Sequence, residues 1–122
     1  MTLQELKNVI CDLYKNETQI PKPEGGFVKI VNIGVTKIAG VFYDAFQYEM
    51  SDEKSYRKYV SYNSFFESYN RLETTGSFNR EWFKNKFSNE YKGRPCNVTT
   101  IGGIFVFLGI AEYRNNEYVT RK

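Results

Sequence analysis

Apolar side chains recur at helical spacing in the first stretch of the chain, where Leu3, Leu6, Ile10 and Leu13 alternate with Glu5, Lys7, Asn8 and Asp12. That spacing predicts an amphipathic helix over residues 3–14. The segment Ile20-Pro21-Lys22-Pro23-Glu24-Gly25-Gly26 ends it as a loop, because each proline lacks a donor and paired glycines favour a turn. Residues 27–43 are β-branched and aromatic, with Gly34 and Gly40 placed to break them into short strands or a hairpin.

From Ser51 the period changes again. Ser51-Asp52-Glu53-Lys54 reads as a helix start, with a capping hydroxyl and acidic residues in the first turn. Tyr56, Tyr59, Val60, Phe66 and Tyr69 then fall to one side, which predicts a helix of about twenty residues closing near Thr74-Thr75-Gly76. Those tyrosines offer a stacking surface for bases, but at helical spacing they serve better as core lining with a wet hydroxyl.

Residues 78–83 carry a helix entry: Asn79 as N-cap, with Phe78 before it and Phe83 four positions in, the spacing of a hydrophobic staple. Trp82, Phe83, Phe87 and Tyr91 make its apolar stripe, and the helix is expected to end near Gly93. Val98, Ile101, Phe105 and Leu108 then share one face of a third short helix, with Asn97 or Thr99 as its cap and Gly109 at its left-handed end. Two strand-like runs, residues 110–114 and 117–121, flank Asn115-Asn116, a pair that tolerates positive φ and so predicts a two-residue hairpin. A competing reading makes residues 104–113 one strand, since Gly102 and Gly103 each weaken a helix by roughly 1 kcal/mol against alanine.

Composition narrows the chemistry. The 122 residues include no histidine, which removes Ser-His-Asp, Cys-His and His-ligated metal mechanisms and leaves an enzyme only carboxylate, Lys or Tyr chemistry. Cys11 and Cys96 lie far apart without ligand partners, and read as small apolar residues in a reducing cytoplasm. No apolar run approaches ~18 residues and the first twenty carry Glu5, Asp12 and Glu17, so no membrane contact is expected. The net charge of +3 is uneven: residues 1–61 hold eight basic and eight acidic side chains, residues 62–122 nine and six. A face that meets a polyanion and an ordinary solvated surface account equally well for that excess.

The order helix, staple-capped helix, short turn, helix ending in Leu-Gly and β-hairpin resembles the winged helix-turn-helix family over residues 52–122. The matching segments are residues 78–87, residues 99–109 and the hairpin of residues 110–121. The resemblance implies an α+β fold: three helices and a hairpin wing, preceded by an N-terminal helix and one or two short strands over residues 1–50. One domain overall is the alternative. It also implies a third helix in the major groove and a wing on the backbone. Carried onto this chain, Asn97, Thr99 and Thr100 would face the groove, Arg80, Lys84, Lys86, Lys92 and Arg94 the phosphates, and Arg114, Asn115, Asn116, Arg121 and Lys122 would form the wing contacts. The third helix departs from the pattern because it carries no Arg, Lys, Gln or Glu to read base edges. Its Gly102 and Gly103 allow close approach to a sugar-phosphate backbone or, the preferred reading, to a packed neighbour.

No phosphate loop is present, and Glu49, Asp52, Glu53 and Lys54, the nearest approach to a nuclease cluster, read as a helix start. Asp44 is an isolated carboxylate. The expectation is therefore a non-enzymatic cytoplasmic DNA-binding protein without metal or cofactor: a transcriptional regulator or accessory factor of a bacterial or phage genome, its partner double-stranded DNA. The alternative is an interaction module or inhibitor on the same scaffold, with a protein partner or a second copy in place of DNA.

Overall fold

Strand β4 (Val41–Met50) is the axis of the first half of the molecule, because three other strands pair along its two edges. The structure, a computed structural model, describes residues 1–38, 40–51 and 53–121, with the side chains of residues 36, 38 and 53–56 outside that description. Helix α1 (Leu3–Lys15) opens on a capping box: Thr2 Oγ1 accepts from the Glu5 N–H, and Glu5 Oε1 accepts from the Thr2 N–H. Its Leu6, Ile10 and Leu13 are buried, as their spacing predicts. Strands β1 (Ile20–Pro21), β2 (Phe27–Asn32) and β3 (Val35–Ile38) follow, and Gly34, at φ 97°, separates β2 from β3. All pairings are antiparallel, β2 against the second half of β4 and β3 against its first half.

The expected helix from Ser51 does not start there. Residues 53–61 instead form β5 (Glu53–Ser61) on the other edge of β4, pairing Ala45 with Ser61 and Phe46 with Val60. Asp52 and the Glu53 and Lys54 side chains lie outside the described residues. The capping hydroxyl belongs to Ser61, whose Oγ accepts from the Ser64 N–H at the start of α2 (Tyr62–Thr75). Gly76, at φ 84°, closes that helix. Tyr59 and Val60 are therefore strand residues, and the sheet runs past residue 50.

The second half follows the sequence more closely. Strand β6 (Ser77–Phe78) leads into α3 (Arg80–Lys86), where Asn79 Oδ1 accepts from the Trp82 N–H at 2.9 Å and the Phe78 and Phe83 rings meet edge to face at 6.3 Å, the staple. The expected single helix is two, because Phe87 leaves the helical region at φ −125°, ψ 54° and turns its ring onto Phe83 and Trp82; α4 (Ser88–Gly93) starts afresh. Helix α5 (Asn97–Phe107) ends at Gly109, at φ 77°, so residues 104–113 are not one strand. Its N-cap position falls on Cys96 rather than on Asn97 or Thr99. Strands β7 (Ala111–Arg114) and β8 (Glu117–Thr120) form the hairpin, with Asn115 and Asn116 both at positive φ, and β6 joins them in the order β6-β8-β7.

One core serves both halves. Phe46 of β4 meets Phe65 of α2, Phe65 stacks on Phe105 of α5, and Phe105 meets Phe78 of β6, each at ring separations of 5.5–6.0 Å. Among the described residues burial also raises five tyrosine hydroxyls above the ordinary value of 10.0, Tyr59 and Tyr69 less and Tyr48, Tyr118 and Tyr62 most, the last pushed up to about 12 with help from Asp44 and Cys11. A raised folded-state value means stability that is complete below pH 10 and drains away as pH rises from 10 through about 12. We therefore expect cooperative alkaline unfolding in that window, with the tyrosinate absorbance of Tyr48, Tyr118 and Tyr62 appearing together with loss of the far-UV circular dichroism. Ionisation of all ten tyrosines near pH 10 with the fold intact would contradict it.

Candidate functional site

Where the sheet meets the helices, a cleft of about 700 Å³ opens between β5, the start of α2, and α4. Tyr59 of β5 forms one wall, its ring 5.4 Å from that of Tyr43 in β4, and the Arg94 guanidinium lies 3.7 Å from the Tyr59 ring centroid. Burial raises the Tyr59 hydroxyl above its ordinary value against the pull of the Arg94 cation. Asn63, Lys86, Phe87, Ser88 and Asn89 continue the lining, and Ser61 and Glu90 complete it.

Beneath the cleft runs a hydrogen-bonded chain of side chains from five elements, β4, β5, α2, α4 and α5. Glu90 Oε1 accepts from Ser61 Oγ at 2.8 Å, and its Oε2 accepts from Ser64 Oγ at 2.8 Å and Asn97 Nδ2 at 2.9 Å. Asn97 Nδ2 also donates to the Tyr59 carbonyl at 2.9 Å, while Asn97 Oδ1 accepts from the Tyr48 hydroxyl at 2.6 Å. Glu90 is thus satisfied by hydroxyls and an amide, with no cation required, and Asn97 joins β4, β5 and α4 to α5.

On the far side of α4 a different surface appears. Two hollows of about 440 and 480 Å³ share Lys84 and Tyr91. The first lies between α3 and the tip of the β7–β8 hairpin and holds Arg80, Asn115 and Asn116 together with Glu81 and Glu117. Arg80 Nη1 donates to the Pro95 carbonyl at 3.1 Å and reaches the Tyr91 hydroxyl at 3.4 Å. The second is lined by Lys84, Ser88, Tyr91, Lys92 and Pro95, with no carboxylate. Several cations elsewhere are paired: Lys7 with Asp44 at 2.6 Å, Arg57 with Glu49 at 3.4 Å, Lys86 with Glu67 at 3.3 Å and Arg114 with Glu112. Asp44, isolated in sequence, thereby has its partner across the fold.

The structure brings Arg80, Lys84, Lys92, Asn115 and Asn116 to one face, and sends Lys86 and Arg94 to the cleft on the other side of α4. Arg121 is exposed after β8, and Lys122 lies outside the described residues. The groove-facing set needs correction. Asn97 and Thr100 are fully buried, and Thr99 is half-buried with its hydroxyl donating to the Cys96 carbonyl. The reason is that α5 is a central helix: Gly102 lies under the Tyr118 ring of β8, and a Cβ on Gly103 would stand 3.1 Å from the Pro21 carbonyl of β1. Sequence reading placed Tyr59 on a helix and missed Tyr43, Tyr48, Ser61, Ser64 and Glu90, which come from four elements and share no spacing signal.

Among the described residues no group of His, Cys, Asp and Glu side chains is disposed to hold a metal ion, and no helix is long and apolar enough to cross a membrane. Compared with known proteins, the chain matches no family model, no curated sequence and no solved structure.

Proposed function

We propose that this protein is an accessory DNA-binding factor, built on a winged helix-turn-helix over residues 62–120, that holds duplex DNA by its phosphates through α3, α4 and the wing rather than by reading bases. The order α2, β6, α3, α4, α5 and hairpin, with the wing tied back through β6, supports the winged-helix assignment. The observation that carries the function is the hollow around Lys84 and Lys92: both side chains are exposed, neither has a carboxylate partner among the described residues, and Arg80, Asn115 and Asn116 adjoin them. Such donors fix a protein on the backbone without carrying sequence information. Base reading has no agent here, since α5 turns its polar side chains inward.

The experiment is fluorescence anisotropy with a random-sequence duplex, titrated from low to physiological salt. Log affinity should fall linearly with log salt, at about 0.9 per phosphate neutralised, and a change of duplex sequence should leave it in place. Lys84→Glu with Lys92→Glu should lower the slope by roughly 2 and abolish binding at physiological salt. Unaltered affinity in that variant removes this face from consideration. A second reading, an interaction module for a protein partner, is favoured by the exposed Val35, Val41 and Phe42 on the β3–β4 ribbon. Absence of duplex binding at low salt would transfer the function to it.

A further inference from the structure

Arg71 and Arg94 are half-buried cations that each have a buried Nε without a hydrogen-bond partner, and of the two it is Arg94 that lines the cleft. Its Cζ lies 3.7 Å from the Tyr59 ring centroid, its Nε is buried with no hydrogen-bond partner, and no carboxylate pairs with it among the described residues. The nearby acid does not serve it, because both oxygens of Glu90 are taken by Ser61, Ser64 and Asn97. Lys86, the other cation of the cleft, is neutralised by Glu67. The cleft is therefore lined by a guanidinium that no carboxylate neutralises, set against an aromatic ring, and a guanidinium so placed is matched by a carboxylate or phosphate oxygen pair. The adjoining wall, Tyr43 beside Tyr59, suits a planar aromatic group laid against it. Asn63 and Asn89 at the rim carry both donors and acceptors, and the volume of about 700 Å³ is that of a small-ligand site.

We propose that this cleft is a binding site for a free nucleoside monophosphate, its phosphate on Arg94 and its base against Tyr43, with Asn63 and Asn89 meeting the sugar or base edge. One anionic group and one planar ring at adjoining positions are what the cleft supplies partners for. The site is separate from the Lys84–Lys92 face and stands whether or not that face binds duplex. The chain Glu90–Asn97–Tyr48 ties its floor to α5 and the sheet, so occupancy should also stiffen the junction of the two halves.

Isothermal titration of the full chain with adenosine monophosphate, thymidine monophosphate, adenosine, inorganic phosphate and benzoate tests the assignment. A monophosphate is expected to bind at least tenfold more tightly than phosphate, nucleoside or benzoate, and Arg94→Gln to lose about tenfold or more. Tyr43→Ala leaves Arg94 in place and should erase the preference for nucleotide over phosphate. Circular dichroism of both variants checks that they fold, and Tyr43→Ala, at a half-exposed position, keeps the test open if Arg94→Gln does not. The proposal is overturned if no monophosphate binds, if phosphate or benzoate binds as well as the nucleotides, or if the preference survives Tyr43→Ala. Binding of a short single-stranded oligonucleotide alone, with free nucleotides inert, would overturn it too.

Discussion

Replacing Asn97 with alanine is expected to cost roughly 4 kcal/mol of folding stability, a large part of the ~5–15 kcal/mol a domain of this kind possesses. The side chain is fully buried and serves three partners at once: the Tyr48 hydroxyl, the Tyr59 carbonyl and the Glu90 carboxylate. Truncation leaves a buried hydroxyl without an acceptor, and a carboxylate with two donors where it had three. Each such loss costs about 1–3 kcal/mol, more where a charge is involved. Urea unfolding measures it, and an unchanged midpoint would show that the network contributes nothing. Asn97→Asp sharpens the test because the shape is kept while the donor facing Glu90 becomes an acceptor. That variant should be at least as unstable as alanine, and adding Glu90→Gln should recover part of the loss by restoring an amide opposite a carboxylate.

The same residue shows what a linear sequence discloses and what it withholds. Asn97 announces itself as a polar residue at a helix start, which is also the signature of a cap or of a groove contact. Its real partners are donated by β4, β5 and α4, and their convergence is a property of the fold. Local signals were legible where local chemistry decides: the capping asparagine and staple at 78–83, the left-handed Gly109, the Asn115–Asn116 turn, the buried stripe of α1. Residues 51–61 went the other way. Ser51 and Ser61 are both plausible caps, and the choice between them is made by β4, whose edge accepts Val60 opposite Phe46 and Tyr59 opposite Gln47. The alternation of Phe46, Tyr48 and Met50 with Gln47 and Glu49 is the clue to that strand, since the first three are buried and the other two half-buried.

Helix α5 holds a conflict of the same kind between local and nonlocal terms. By helix propensity alone, Gly102→Ala should gain about 1 kcal/mol. The structure reverses the sign. Tyr118 of β8 lies with its ring over Gly102, so that an added Cβ would overlap Cζ, Cε1 and Cε2 of the ring. The ring cannot swing away, because it is only 2% exposed and is wedged between Phe78 at 5.8 Å and Tyr113 at 4.9 Å. Overpacking of that sort costs typically 1–3 kcal/mol and occasionally more. We expect Gly102→Ala to destabilise the protein by about 2 kcal/mol net and to loosen the three-stranded sheet β6-β8-β7 from α5.

Gly103→Ala is the internal control, since its Cβ would meet the Pro21 carbonyl at 3.1 Å, a contact relieved by a shift of a few tenths of an ångström in the two-residue strand β1. Its packing cost and propensity gain should nearly cancel. Tyr118→Val in the Gly102→Ala background should be far less costly than the sum of the single changes, because the methyl then occupies space the ring has vacated. Thermal and urea unfolding of the four variants decide the matter: additivity, or a Gly102→Ala protein as stable as its parent, would mean that the β7–β8 hairpin does not bear on α5. Coupling between them would fix why α5 carries glycines and no long polar side chain: Tyr118 of the β7–β8 hairpin on one side and β1 on the other already occupy its surface.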